Sequence, residues 1–259
     1  MTLGTVLLTG AAGDIGSHLR APLREAASEL RLSDVRPLEA DAGNEVVIPA
    51  ELTDREAVAR AAVGADAVVH LGGIPSERPF GELVGPNVVG TQHVFEAARR
   101  AGTRRIVYAS SNHATGMYAS GHPLRGTEPV RPDSVYGVSK AFGEALGRLY
   151  VDKFGLEVVC LRIGSFAPRP HVARELSTWL SPPDCTRLVL AALTAPDVGF
   201  EVVYGVSANR RSWWDPEPGL RIGYAPQDDA EAFASELDGD PGPLQGGEFT
   251  DPGAGGWAH

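Results

Sequence analysis

Short apolar runs alternate along the first two thirds of the chain with longer stretches whose apolar residues recur every three or four positions. A short run of this kind is typical of a buried strand, and a longer stretch is typical of a helix with one buried face. We predict strands at Thr5–Thr9, Leu30–Ser33, Val46–Ile48, Ala67–Leu71, Arg105–Ala109 and Glu157–Leu161. Strands that alternate with helices predict an α/β fold with a doubly wound parallel sheet, whose functional sites lie at the carboxyl ends of the strands.

Two of the predicted helices carry clear boundary signals. The first should run from Ile15 to Glu29, and Pro22 should kink it or mark a break because proline lacks an N–H group. Another should run from Asn87 to Arg100 and end at Gly102, a good C-cap.

A glycine-rich turn joins the first strand to the first helix. Gly10, Gly13 and Gly16 have the spacing Gly-x-x-Gly-x-x-Gly, which indicates a Rossmann-like dinucleotide site because glycines let the backbone approach a pyrophosphate. Asp34 ends the second strand about twenty residues further on, where an acid can bind an adenosine ribose and repel a 2′-phosphate. This favours NAD over NADP, although the nearby Arg36 leaves NADP open.

The pattern weakens after Ser165. Here we predict helices near Ala173–Trp179 and Thr186–Leu193, a last strand at Phe200–Val206, and a mostly irregular tail from Leu237. We therefore expect one Rossmann-like domain over residues 1–259, in which 1–165 form the NAD-binding core and 166–259 form mostly a small C-terminal substrate-binding lid and tail.

Composition narrows the classes of partner. The 259 residues include 23 basic and 33 acidic side chains, with a formal net charge of −10. This balance disfavours a nucleic-acid or membrane partner and requires a local positive group for any anionic substrate. Cys160 and Cys185 have neither metal-site nor disulfide-framework spacing, so no metal is predicted. We expect a cytoplasmic protein, since no segment reaches membrane-spanning length and no signal peptide is visible.

The chemistry is concentrated at Ser110-Ser111-Asn112-His113 and at the helix that carries Tyr136 and Lys140. The last two side chains are four positions apart, so they lie on one helix face. A lysine ammonium beside Tyr136 would stabilise the phenolate and lower its pKa, which makes the phenol a candidate base. Ser111 could hydrogen-bond the same substrate hydroxyl.

These residues carry a resemblance. The glycine turn, Asp34, Ser111, Tyr136 and Lys140 resemble the extended short-chain dehydrogenase/reductase superfamily, which includes the NAD-dependent epimerases and dehydratases. Longer strings are similar to the bacterial uronate dehydrogenase family: Leu71–Ile74, Ser110–His113, Arg162–Ser165, Leu176–Trp179, Ser207–Asn209 and Trp213–Asp215. The resemblance implies NAD-dependent oxidation of the C1 hydroxyl of cyclic D-glucuronate or D-galacturonate to an aldaric acid lactone.

The resemblance also implies individual roles. Tyr136 is the general base, Lys140 holds the nicotinamide ribose, and Ser111 orients the hydroxyl. The implied NAD contacts are Gly10, Gly13, Asp14, Ile15, Gly16, Asp34, Val35, Glu51, Leu52, Leu71, Gly72, Gly73, Asn87, Tyr136, Lys140 and Ile163. The implied substrate contacts are Ser76, Ser111, Asn112, His113, Tyr136, Ser165 and Arg174, with Arg174 on the uronate carboxylate and Arg169 as its nearest competitor.

One position departs from the family pattern. Pro75 stands where the family has a serine that touches substrate, so Ser76 must replace that serine after a shift or the contact is lost. Exposed helices on such sheets frequently pair, and we expect a homo-oligomer.

Two other functions remain open. A nucleotide-sugar epimerase or dehydratase shares the NAD site and the Tyr/Lys base but needs a larger C-terminal part than the stretch after Ser165. A non-catalytic NAD-sensing protein could share the fold. Such proteins often lose the tyrosine or lysine, and this chain has both.

Overall fold

The computed structural model describes residues 3–253. Its strands are β1 (Leu3–Thr9), β2 (Ala27–Ser33), β3 (Glu45–Val47), β4 (Ala67–His70), β5 (Arg105–Ser111), β6 (Glu157–Ile163), β7 (Ser165–Phe166), β8 (Trp179–Leu180) and β9 (Phe200–Gly205). Seven of them form one sheet in the order β3-β2-β1-β4-β5-β6-β9. Every neighbouring pair in it is parallel. The predicted doubly wound parallel sheet is therefore confirmed.

Helices cover both faces of this sheet. They are α1 (Asp14–Ala26), α2 (Arg55–Ala62), α3 (Phe80–Leu83), α4 (Thr91–Ala101), α5 (Val135–Phe154), α6 (Glu175–Thr178), α7 (Pro182–Thr194) and α8 (Glu217–Arg221). Alternate residues of β1 belong to different cores: Val6 and Leu8 pack with α1 and α7, whereas Leu7 packs with α2, α4 and α5. Side chains that alternate between two covered faces are the signature of a central parallel strand.

Some predicted boundaries differ from the structure. Helix α1 continues through Pro22 without a break and ends at Ala26, and β2 already begins at Ala27, where it pairs with Leu3 of β1. The predicted end at Glu29 was therefore wrong, because sheet pairing captures residues that helical periodicity alone would keep. A π-helical segment, Val84–Gly90, joins α3 to α4, so the helical stretch starts well before the predicted Asn87. Gly102 ends α4 in the left-handed conformation, as predicted.

A buried polar network lies between the sheet and α5, near the carboxyl ends of the strands. Arg162 of β6 donates two hydrogen bonds to Glu144 of α5, at 2.9 and 2.8 Å. Glu144 also accepts a bond from the Ser110 hydroxyl at 2.6 Å, and Arg162 donates to the Tyr204 hydroxyl at 3.1 Å. This network ties α5 to three strands at the level where β5 ends.

Within residues 3–253, no helix combines the length and the apolar character that crossing a membrane requires. Cys160 and Cys185 are both buried free thiols. The same residues contain no group of three or more His, Cys, Asp or Glu side chains that could hold a metal ion.

We predict that Arg162→Ala lowers the free energy of unfolding by about 3–5 kcal/mol, because it leaves the Glu144 carboxylate buried without its cation. Arg148→Ala removes the exposed ion pair with Asp152 on the same helix and should change this free energy by less than about 1 kcal/mol. Urea titration of both variants checks the difference. Equal losses would contradict the structural importance of the buried pair.

Candidate functional site

A cleft of about 1350 Å³ lies at the carboxyl ends of the central strands. It extends from Asp34 at the end of β2 to Arg174 just before α6, and the tail segment 238–250 contributes to its wall. Its volume exceeds the roughly 300–1000 Å³ of pockets for one drug-sized molecule. A dinucleotide and a second small molecule therefore fit together.

The glycine turn forms the floor of one half of the cleft. Gly10 has φ +70°, and a Cβ atom there would lie 2.7 Å from the backbone nitrogen of Gly72. Only glycine can occupy this position, where β1 and β4 both deliver backbone to the cleft. Gly13 is the N-cap of α1, and no side chain caps this helix end. The exposed N–H groups and the positive end of the helix suit a pyrophosphate.

The adenosine end of a dinucleotide fits the residues around Asp34. Its carboxylate accepts hydrogen bonds from the backbone N–H groups of Ala12 and Arg36, both at 2.9 Å, so its direction is fixed. Val35 lines the cleft, and 70% of its surface is exposed. An exposed valine offers an apolar contact for a base, and Glu51 and Leu52 complete this side.

Tyr136 lies at the start of α5, and its position is fixed by two caps. The Ser134 hydroxyl accepts a bond from the N–H of Gly137 at 3.0 Å. The buried carboxylate of Glu77 accepts bonds from the N–H groups of Val135 at 3.1 Å and Tyr136 at 2.7 Å. Glu77 thus ties the loop after β4 to the first turn of α5.

Lys140 follows one turn later and is buried beside Tyr136. Its Nζ atom donates to the Ala109 carbonyl at 2.8 Å and lies 5.5 Å from the centre of the Tyr136 ring. Burial lowers the pKa of Lys140 from 10.5 to about 8. The cation is therefore held by a neutral carbonyl.

The expected effect of Lys140 on Tyr136 is not found. Burial raises the pKa of the Tyr136 phenol to about 12, and the Ser111 hydroxyl opposes this only in part. Asp133 adds to the increase through its negative charge. The expectation that Lys140 lowers the pKa was wrong for the protein alone, because desolvation disfavours the phenolate more than the nearby side chains favour it.

His113 faces Tyr136 and is held on both sides. Its Nδ1 atom lies 2.7 Å from a carboxylate oxygen of Asp133, and its ring stacks on Phe249 at a centroid distance of 3.9 Å. The bond at Nδ1 leaves Nε2 as the nitrogen able to contact a ligand. The ring centroids of His113 and Tyr136 are 5.9 Å apart.

Arg174 differs from Arg169, the other arginine considered for the uronate carboxylate. Its Nε donates to the Gln245 carbonyl at 2.7 Å. The Asn112 amide is oriented so that its oxygen accepts from Arg174 Nη2 at 2.8 Å and its nitrogen donates to the Ile163 carbonyl at 3.0 Å. Among the described residues, no carboxylate forms an ion pair with Arg174, whereas Arg169 is paired with Glu236. Burial lowers the pKa of Arg174.

The structure brings nearly all predicted site residues together. Those that line the cleft are Gly10, Gly13, Asp14, Ile15, Gly16, Asp34, Val35, Glu51, Leu52, Leu71, Gly72, Gly73, Ser111, Asn112, His113, Tyr136, Lys140, Ile163, Ser165 and Arg174. The Ser165 hydroxyl is 3.0 Å from that of Thr178. Asn112 lines the cleft, but both polar atoms of its amide are engaged within the protein.

Two predicted contacts do not line the cleft. The Asn87 amide is buried, where it bonds both backbone groups of Ile74 and the Ser139 hydroxyl. It therefore holds the loop that lines the cleft. Pro75 lines the cleft and Ser76 does not, and the next residue, Glu77, is bound to the start of α5. The replacement of the family serine by Ser76 therefore stays a prediction.

No sequence motif identified four further residues of the site, which are Glu77, Asp133, Gln245 and Phe249. Each acts through a partner at least twenty residues away along the chain, and none belongs to a local motif. The Gly246-Gly247 pair beside Gln245 is the one local sign of a close backbone approach in the tail.

The chain is similar to proteins of known family and structure. Residues 6–182 match the model of the NAD dependent epimerase/dehydratase family. The uronate dehydrogenase of Pseudomonas syringae pv. tomato is 45% identical over 95% of this chain and 92% of its own length. The crystal structure of uronate dehydrogenase from Agrobacterium tumefaciens is 43% identical, with a TM-score of 0.92 over 97% of this chain and 98% of that one. A mutant of that enzyme, complexed with NAD, also has a TM-score of 0.92, covering 96% of this chain and 98% of its own.

We predict that Lys140→Met raises the free energy of unfolding at pH 7 by about 2 kcal/mol. The variant removes the desolvation cost of a buried cation, and the loss of one hydrogen bond offsets part of this gain. The pKa of Lys140 in the folded protein, about 8, lies below the ordinary 10.5. Between these pH values the unfolded chain binds more protons, so the wild type should gain stability as pH rises and the difference should shrink.

Urea unfolding at pH 7 and pH 9.5 checks this. Lys153→Met, at an exposed position of the same helix, is the matched control and should show little dependence on pH. A Lys140→Met difference that stays constant between the two pH values would contradict the lowered pKa.

Proposed function

The chain belongs to the NAD dependent epimerase/dehydratase family, and we propose that it oxidises the C1 hydroxyl of cyclic D-glucuronate and D-galacturonate to aldaric acid lactones, with NAD⁺ as the oxidant. Arg174 carries this proposal. It is a cation at the cleft that contacts neutral oxygens and forms no ion pair with a described carboxylate. In a chain of net charge −10, such a group suits one carboxylate of a ligand.

NAD⁺ would be held by the glycine turn, the fixed carboxylate of Asp34 and the backbone of Gly72 and Gly73. When bound, it supplies the acceptor for the hydride from C1 and a positively charged ring. Asp34 already accepts two backbone N–H groups, and its remaining lone pairs suit ribose hydroxyls. The same carboxylate would repel a 2′-phosphate, which favours NAD over NADP.

Tyr136 takes the proton of the C1 hydroxyl. A hydrogen bond from the Ser111 hydroxyl to Tyr136 favours the ionised phenol. Ser111 also orients the C1 hydroxyl of the substrate toward the base. Lys140 contributes a positive charge and an N–H donor for the nicotinamide ribose. Burial raises the pKa of Tyr136 to about 12, and added positive charge in the cleft would lower this pKa and make the base more effective.

The sugar would be held from three directions. Arg174 binds the carboxylate in a bidentate pair, and His113 contacts a ring hydroxyl through Nε2, because Asp133 occupies its Nδ1. Ser165 contacts a further hydroxyl. Asn112 acts through Arg174, since its own amide is fully engaged.

The same proposal extends to the division of the chain, its localisation and its oligomeric state. Residues 1–165 form the NAD-binding core, and 166–259 supply mostly the substrate-binding lid and tail. We place the enzyme in the cytoplasm, which suits two buried free thiols. We also infer that it forms a homo-oligomer.

We expect purified protein with NAD⁺ to form NADH, read by its absorbance, from D-glucuronate and D-galacturonate but hardly from D-glucose, D-galactose or glucose 6-phosphate. Arg174→Ala should raise KM for the two uronates about 10- to 100-fold, since a hydrogen-bonded charge pair is lost. Arg169→Ala, which loses an exposed pair with Glu236, is the matched control and should change KM little.

Equal rates with uronates and neutral sugars would make the protein a broader aldose dehydrogenase and remove the carboxylate role from Arg174. Absence of NADH with every sugar, from protein that still binds NAD, would favour a nucleotide-sugar enzyme whose cofactor is reduced and reoxidised within one turnover.

We predict that Tyr136→Phe lowers kcat about 10²- to 10⁴-fold, the usual contribution of a general base. NAD binding, measured by quenching of protein fluorescence, should persist because the phenol hydroxyl is the only group removed. Tyr118→Phe, whose hydroxyl bonds the Pro129 carbonyl, should keep normal kcat. Near-normal turnover by Tyr136→Phe would show that another group takes the proton.

A further inference from the structure

The cation proposed to bind the uronate carboxylate is held in part by the far end of the chain. Arg174 Nε donates to the backbone carbonyl of Gln245, 71 residues later, at 2.7 Å. Asn112 provides the second contact, at Nη2. Both acceptors are neutral oxygens, so they orient the guanidinium without neutralising it.

Gln245 is the best-anchored polar residue of this tail segment. Its side chain is 1% exposed and accepts a bond from the indole N–H of Trp214 at 2.8 Å. Its amide nitrogen donates to the carbonyls of Ala119 at 3.1 Å and His122 at 2.7 Å. All polar atoms of the side chain are thus used inside the protein, and none points to a ligand.

The backbone on both sides of Gln245 is fixed as well. Its N–H donates to the Tyr118 carbonyl at 2.9 Å, and the next N–H, of Gly246, donates to Gly116 at 2.9 Å. Gly247 has φ +61°, and a Cβ atom there would lie 2.8 Å from the Cδ atom of Arg174. The tail therefore passes directly against the stem of this arginine.

We propose that Gln245 is a positioning residue that sets the specificity for a carboxylate: its side chain fixes the tail, and the tail carbonyl fixes the guanidinium of Arg174. A long arginine side chain loses much rotamer freedom when it must hold one geometry. A contact that fixes this geometry before binding strengthens the bidentate pair with a carboxylate. The inference rests on the proposed function, because it takes the ligand of Arg174 to be the uronate carboxylate.

The test compares Gln245→Ala with Gln227→Ala, an exposed glutamine whose backbone N–H alone bonds the protein, to Asp184. For Gln245→Ala we expect KM for D-glucuronate to rise about tenfold, or ~1.4 kcal/mol. We expect kcat and KM for NAD⁺ to stay within about twofold and the preference for uronate over D-glucose to fall by the same factor as KM rises. Gln227→Ala should match the wild type.

Trp214→Phe is the second variant. It keeps a ring to stack on Tyr204, where the present centroid distance is 4.6 Å, but removes the N–H that bonds Gln245. It should shift KM in the same direction by a smaller factor, with normal folding by thermal melting.

The outcomes separate the two proposals. Loss of activity toward uronate and glucose in equal proportion, or an unchanged KM in both variants, would overturn the role of Gln245 while leaving the proposed function intact. If wild-type protein forms no NADH from uronates, the proposed function fails. Calorimetric titration of D-glucuronate into NADH-loaded protein then still decides the inference: weaker binding by Gln245→Ala than by wild type supports it, whereas equal binding or none by wild type overturns it.

Discussion

The site depends on the parallel pairing of β1, β4, β5 and β6. The pairing aligns Thr9 with His70, His70 with Tyr108, and Ser111 with Ile163. Because all four strands run in the same direction, their carboxyl ends meet along one edge, and the loops that follow them share one cleft. Residues as distant in sequence as the glycine turn and Ser165 thus face each other. The Glu144–Arg162 pair holds α5, and therefore Tyr136, against this edge.

Two cations of the cleft, Lys140 and Arg174, differ from Arg162 and Arg169 in the groups that they contact. Lys140 and Arg174 contact only neutral oxygens in the hydrogen bonds of the described residues. Arg162 and Arg169, by contrast, are paired with carboxylates. A protein of net charge −10 repels anions at long range, but screening limits this to about 8–10 Å at physiological salt. Under the proposed function, a cation inside the cleft that has no ion-pair partner among the described residues attracts the substrate carboxylate at short range.

Sequence motifs predicted those site residues whose positions depend on the local backbone conformation. The glycine turn, Asp34 and the Tyr136–Lys140 pair depend on spacing within one strand, turn or helix, and the structure brings them to one cleft. Glu77 and Gln245 could not be found this way, because each acts on a residue that only the tertiary fold brings near. The end of α1 was misplaced for a related reason: pairing with β1 overrode the helical pattern at Ala27. The sign of the Tyr136 shift was also missed, since burial cannot be judged from sequence spacing.

That shift links the acid–base chemistry to the redox chemistry. Burial raises the pKa of Tyr136 to about 12 and lowers that of Lys140 to about 8, so both shifts oppose a phenolate beside an ammonium. Under the proposed function, an oxidised nicotinamide ring adds a positive charge beside Tyr136, and a reduced ring does not. The phenol then gives up its proton more readily when a hydride acceptor is bound. Because Tyr136 is buried, the strength of this base depends on the oxidation state of the cofactor more than that of a solvent-exposed tyrosine would.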